Sequence, residues 1–307
     1  MKLNTKLLHF SDICKKKTKK IGISGIILCK KHGISGKMLA YINKKLYFCR
    51  QNRIYMILYF SATGNSLAVA RQLADRLNER LMLLTEAVQQ DLTNEKRIGL
   101  VFPTYDFNLP PALPDMIARL KISPQSYVFT VVTCGSAAGN CIWTLRRLLR
   151  EKGIELAYSH KVSMPDNSAL AFGRNPNKQL GKFDRVPTRM ELIIRELQAE
   201  SHTLHYSWFG LLSWLLGRKA IERGMIHCLG PKVIADKCNG CGTCVRVCPM
   251  ENIRLTDKKA VTGDHCTVCL ACVHACAQQA ISTNGQQVRK DRQYRHPQIH
   301  LKDLILR

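Results

Sequence analysis

The sequence predicts two folded parts: an α/β, doubly wound parallel five-stranded sheet, then a small α+β module organised by cysteine. Three observations predict this. Apolar runs alternate with amphipathic stretches from Met56 to about His205, the pattern of βαβ units. Eight of the 14 cysteines fall between Cys238 and Cys276, in two matching sets. The net charge of +25 is concentrated at the start, where residues 1–55 hold 14 Lys and Arg against the single acid Asp12.

The 307 residues suffice for two or three domains, each burying its own core. A hydrophobic fraction of 46% is ordinary for globular protein. Residues 1–55 read poorly as a domain. The lysines from Lys15 to Lys20, followed by Ile21–Cys29, resemble a secretory signal, but no small-x-small site follows. This stretch is expected to be a basic extension outside the folded protein, with Met56 as the initiator. Peptides from Asn4–Lys44 in the native protein would sink that expectation.

Within 56–205, strands are expected at Met56–Phe60, Leu81–Leu84, Ile98–Phe102, Tyr127–Val132 and Leu156–Val162. Helices are expected at Ser66–Glu79, Pro111–Leu120, Asn140–Lys152 and Pro187–Ala199. Five strands with helical crossovers fit a flavodoxin-like sheet better than a six-stranded dinucleotide fold. Residues 206–229 form a connector, whose apolar residues from Trp208 to Leu216 are spaced for a packing helix. That run is too short to cross a bilayer.

The first strand ends in Phe60-Ser61-Ala62-Thr63-Gly64-Asn65-Ser66, directly before a helix. Backbone N–H groups at a helix N-terminus favour an anion, and the Ser61, Thr63 and Ser66 hydroxyls and the Asn65 amide add donors. Gly64 permits close approach. No lysine stands where a triphosphate-cradling loop needs one, and no G-x-G-x-x-G follows the strand. Two more loops fall on the same rim: Pro103-Thr104-Tyr105-Asp106-Phe107, and Thr133–Asn140 with Cys134, Gly135 and Ser136. Ser61–Ser66 is similar to the phosphate loop of flavodoxins. That resemblance implies bound FMN, with Tyr105 and Phe107 flanking the isoalloxazine ring and backbone groups of Cys134–Ser136 at its polar edge. The alternative for either ring is burial in the core. Cys134 and Cys141 read as structural thiols, since no activating base is nearby.

Cys238-x2-Cys241-x2-Cys244-x3-Cys248-Pro249 is repeated 28 residues later as Cys266-x2-Cys269-x2-Cys272-x3-Cys276-Ala277. Two-residue gaps wrap the chain around one corner of a cubane, and the fourth thiolate comes from the other repeat. On that logic Cys238, Cys241, Cys244 and Cys276 hold one 4Fe–4S cluster, and Cys266, Cys269, Cys272 and Cys248 the other. Zinc would instead take two well-separated pairs around one tetrahedral ion. Residues 231–282 resemble a bacterial two-cluster ferredoxin, with Ala277 replacing the usual proline after the last cysteine.

The order of the two parts resembles the fused "ferrodoxin" family of anaerobic bacteria and archaea, over residues 56 to about 284. Ser163–Asn167 is similar to a segment of that family. The expected organisation is a flavodoxin-like FMN domain at 56–205, the connector, a ferredoxin domain at 230–284 and a basic, mostly solvated tail at 285–307. The resemblance implies a cytoplasmic carrier that relays low-potential electrons between two 4Fe–4S clusters and FMN. Its partners would be redox proteins with acidic docking faces, not nucleic acid or membrane. The alternative is a flavoenzyme reducing a small molecule at the FMN, with Tyr105 or Cys134 as proton donor.

Overall fold

The computed structural model describes residues 55–168, 174–206 and 230–306. The expectations for residues 1–54 of the N-terminal extension and for 207–229 of the connector lie outside the described residues, whereas Tyr55, expected to lie outside the folded protein, is the first residue of the first sheet strand and pairs with Arg97.

Strand β1 (Tyr55–Tyr59) opens the sheet, followed by β2 (Arg80–Leu83), β3 (Arg97–Pro103), β4 (Tyr127–Cys134) and β5 (Leu156–Ser163). All neighbours pair in parallel, in the order β2-β1-β3-β4-β5. That is the flavodoxin-like strand order, with its switch point between β1 and β3. Helices α1 (Asn65–Leu77), α2 (Leu113–Arg119) and α3 (Cys141–Arg150) lie in crossovers, and α4 (Val186–Gln198) follows the last strand. A ten-residue 3-10 stretch, Pro176–Arg185, precedes α4 and is not among the expected elements, although Asn175-Pro176 is a helix-start signal and the Asn175 side chain caps it by accepting the Asn177 N–H at 3.0 Å.

Alternation along each strand splits the core into two layers. Met56, Leu58, Ile98, Leu100, Val128 and Val132 face α2 and α3. Ile57, Val101, Phe129 and Val131 face Val69, Leu73, Met190 and Ile193 of α1 and α4. Gly99 makes room in the second layer, because a Cβ there would stand 2.3 Å from Cζ of Phe129. Gly99→Ala is therefore expected to cost about 1–3 kcal/mol by overpacking. Urea unfolding measures this, and Phe129→Leu in the same chain should return part of the loss.

The cysteine module begins at β6 (Lys232–Val233) and continues through α5 (Thr243–Arg246), β7 (Ile253–Thr256) and β8 (Lys259–Thr262). Helix α6 (Ala271–Ala275), β9 (Ile281–Thr283) and β10 (Gln286–Gln287) repeat that order. Asp257-Lys258 and Asn284-Gly285, all at positive φ, close the two hairpins as mirror-image turns. Among the described residues no helix is long and apolar enough to cross a membrane.

The tail departs from expectation. Its six Lys and Arg suggest solvation, but Tyr294, His296, Ile299 and Leu304 are buried. They are spaced without helical or strand period, so composition concealed them. The segment runs back over α1: the Arg71 guanidinium meets Asp303 at 3.0 Å, and Leu306 N–H donates to the Arg246 carbonyl at 2.9 Å.

Candidate cofactor sites

A cleft opens at the carboxyl ends of β1, β3 and β4. Ser61, Ala62, Thr63, Asn65 and Ser66 line it, with Thr104 and Tyr105 from the second loop and Cys134 and Gly135 from the third. Phe107 and Ser136 do not line it. The Phe107 ring is 41% exposed, and the Phe107 carbonyl accepts the Asn140 N–H at 2.6 Å. Met164, Pro165, Asp166 and Asn167 supply a further wall. Sequence reasoning gave this segment no role. Its position after β5, the last strand of the same rim, was the available signal.

Several donors in the first loop are already engaged. The Ser66 hydroxyl shares a 2.7 Å hydrogen bond with Thr133 Oγ1. Asn65 Nδ2 donates to the Pro165 carbonyl at 2.9 Å, and its Oδ1 accepts the Tyr294 hydroxyl at 2.6 Å. Asn65 thus fastens the loop to its neighbours rather than facing an anion with its amide. The Thr63 carbonyl accepts the His296 N–H at 2.9 Å. Gly64 has φ +99°, and a Cβ there would stand 3.0 Å from Ile299. The left-handed turn aims the following N–H groups along the start of α1, where an anion is favoured.

Two features of the cleft bear on a ligand. The Tyr105 hydroxyl is buried and has no hydrogen-bond partner, an arrangement that costs free energy unless something else satisfies it. Burial first, then the nearby Cys269 and Cys266, push its pKa well above 10. On the opposite side, the Gly135 carbonyl accepts Lys182 Nζ at 2.6 Å and the Ser163 hydroxyl at 3.1 Å. Burial pushes the Cys134 thiol up to about 11, and both Cys134 and Cys141 are buried.

His296 ties this region to pH. It packs edge-on against Phe183 with ring centroids 4.9 Å apart, its Nδ1 accepts the Gln298 N–H, and burial lowers its pKa to about 4. The unfolded imidazole titrates near 6.5. Below that pH the unfolded chain binds more protons, so stability is complete above 6.5 and is lost as pH falls towards 4. Between pH 7 and pH 5 the expected loss is about 2 kcal/mol. Urea midpoints at the two pH values check it, and His296→Gln should remove this component.

Thiols from both cysteine repeats lie near one another. Burial pushes the Cys244 thiol up to about 11, with Cys276, Cys238 and Cys241 adding to the shift. Burial likewise holds Cys272 well above 9, and Cys269, Cys266, Cys248 and Cys244 reinforce it. Cys248, Cys266, Cys269 and Cys272 line one shared cavity. Among the described residues no three His, Cys, Asp or Glu converge tightly enough for a single metal ion. Four thiols lining one cavity are the ligand set that a cubane takes.

Backbone N–H groups point at the sulfurs. Asn252 N–H reaches Cys248 Sγ at 3.3 Å and Ala280 N–H reaches Cys276 Sγ at 3.2 Å. Ala260 serves Cys238 at 3.4 Å and Val268 serves Cys266 at 3.3 Å. Such bonds stabilise thiolate and tune a cluster. The curl that aims them needs left-handed backbone. Gly240 and Gly242, each at φ +72°, meet this without cost, whereas the matching Val268 and Leu270 sit at +53° and +59° with side chains attached.

A protein-family model described as a 4Fe-4S dicluster domain matches residues 231–291. Together with the sheet order, that match decides the architecture. The chain fuses a flavodoxin-like domain to a 4Fe–4S dicluster domain. No curated protein matches the fusion. Among solved structures it is similar to the two-electron reduced flavodoxin of Megasphaera elsdenii, at 19% identity, covering 37% of this chain and 89% of that one with a TM-score of 0.32. It is also similar to an FMN-dependent NADH-azoreductase from Bacillus anthracis, at 13% identity, 47% and 98% coverage and a TM-score of 0.33. A third is the rubredoxin:oxygen oxidoreductase of Desulfovibrio gigas, at 16% identity, 48% and 36% coverage and 0.33. The assignment of the fusion's first part rests on its strand order.

Proposed function

We propose that the fusion is an electron relay carrying one FMN in the cleft and a 4Fe–4S cluster in each set of four cysteines. The observation that carries this reading is a contact between the two sites: Asn167, a wall of the cleft, donates through Nδ2 to the carbonyl of Cys269 at 3.5 Å. When bound, FMN stores one or two electrons where each cluster passes one. The protein's part is placement. N–H groups of Ala62–Ser66 and the Ser61 and Thr63 hydroxyls would hold the phosphate. The unpartnered Tyr105 hydroxyl and the backbone at Cys134–Gly135 would meet the ring system.

A flavoenzyme acting on a small molecule is not favoured by the site. Both candidate proton donors, Tyr105 and Cys134, are held above their ordinary pKa by burial, and neither is matched to proton transfer near neutral pH. External electrons would be exchanged with redox proteins. Lys237, Arg246, Arg254 and Lys258 are exposed around the first cysteine set, with Asp236 and Asp257 among them. The basic excess suits an acidic partner, whose association should weaken as salt is added.

Anaerobic expression followed by iron, sulfide and flavin analysis tests the reading. About eight irons and one FMN per chain are expected. Iron without flavin would leave a ferredoxin carrying an unrelated α/β domain, and zinc in place of iron would overturn the proposal.

A further inference from the structure

The two cysteine sets are not equivalent towards the cleft. Cys269 belongs to a packed apolar cluster that includes Ala62 of the phosphate loop, with Tyr105 against it. Its carbonyl holds Asn167, and Asn167 and Tyr105 both line the cleft. His274, on α6 between two cysteine ligands, donates from Nε2 to the Asn167 carbonyl at 3.3 Å, while its Nδ1 accepts the Tyr294 N–H at 2.9 Å. Cys269 and Cys272 are buried, and Cys248 and Cys266 are partly so. In the other set Cys241 is exposed. The loop around it rests on the β7–β8 hairpin, with Gly240 against the Lys258 carbonyl and Gly242 near the Leu255 side chain, itself 44% exposed.

We propose that FMN exchanges electrons with the cluster of Cys248, Cys266, Cys269 and Cys272, and that the cluster of Cys238, Cys241, Cys244 and Cys276 meets the external partner at its Cys241 corner. This rests on the relay reading above and adds the order of the cofactors along it. A one-electron, low-potential protein donor is oxidised by one electron at the outer cluster. That electron passes to the inner cluster and on to the flavin. Two such transfers, with two protons drawn from water, reduce one FMN completely, and the reverse sequence delivers electrons outward. The crossing from inner cluster to flavin passes between Tyr105 and Asn167.

Two charge changes that spare all eight cysteines test the order in the anaerobic full chain loaded with iron and FMN. Asn167→Asp places a carboxylate between the cleft and Cys269. Lys259→Gln removes a cation whose Nζ bonds the Cys238 carbonyl at 2.7 Å and the Ala235 carbonyl at 2.9 Å. In a potentiometric titration read by EPR for the clusters and by absorbance for the flavin, Asn167→Asp should lower the potentials of the flavin and of one cluster. Lys259→Gln should lower the potential of the other cluster and leave the flavin unmoved. The proposal is overturned if both variants shift the same cluster, or if Lys259→Gln moves the flavin.

Cys241→Ser supplies an independent readout. It should change the outer cluster's signal while the one-electron-reduced flavin keeps the fast EPR relaxation imposed by its neighbour. Loss of that relaxation would overturn the order. A chain that holds iron and FMN but gives the reversed pattern defeats the order alone, whereas a chain that binds no FMN defeats the relay.

Discussion

Stripping iron from the loaded protein is expected to unfold most of residues 230–306 and to weaken flavin binding at a site that contains no iron ligand. The cysteine module has a small core of Cys244, Ile253, Ala260, Leu270, Cys272, Val273, Ile281 and Val288, in which two members are thiols. Its strands are two to four residues long. Val268, Leu270, Glu251 and Gln279 are all held at positive φ, a conformation that costs free energy for residues with side chains. A unit of this size depends on what it binds, so ligand binding and folding are one equilibrium. Hydrogen exchange should show amides of β7, β8 and β9 losing protection after chelation, while those of β1, β3 and β4 keep it.

The effect on flavin follows from the tail. Gln293 Nε2 donates to the carbonyls of Val273 and Cys276 at 2.9 and 2.7 Å. Collapse of α6 therefore frees Tyr294 and His296, which brace Asn65 and Thr63. Losing one such hydrogen bond is worth about 1 kcal/mol, and losing the pair should weaken FMN roughly tenfold or more. Flavin titration of chelated against loaded protein measures this. Equal affinity would mean that the phosphate loop holds its shape without the tail.

The second large effect lies at the opposite end of the central strand. Arg97, the first residue of β3, pairs with the buried carboxylate of Glu79, donating from Nε at 2.6 Å, and from Nη1 to the Leu197 carbonyl at 3.2 Å. Its guanidinium also lies 4.7 Å from the centroid of the Tyr55 ring. This one side chain fastens β1, β3, α4 and the residue just past α1. Arg97→Met removes the guanidinium that donates to this buried carboxylate, a change that costs about 3–5 kcal/mol. The double variant Arg97→Met with Glu79→Gln should recover most of that loss, since neither charge then remains. Urea unfolding gives both values. Because the pair sits away from the cleft, FMN affinity of the folded fraction should be unchanged.

The sequence by itself determined the elements and the metal chemistry. Alternating apolar runs placed all five sheet strands and four helices to within a residue or two, because hydrophobic period is a local property that the backbone must honour. Cysteine spacing identified the iron–sulfur repeats for the same reason: a two-residue gap fixes how thiolates can meet a cluster corner. Tertiary structure alone decided what surrounds the cleft. Asn65, counted as an anion donor, is spent on Pro165 and Tyr294, the latter 229 residues away. Phe107 turns outward, and Asn167 takes a place at the crossing to Cys269. The tail is basic by composition but packs through Tyr294, His296, Ile299 and Leu304, whose spacing follows no repeat. Contacts of this kind depend on which surfaces the folded layers bring together, and no local pattern in the chain encodes them.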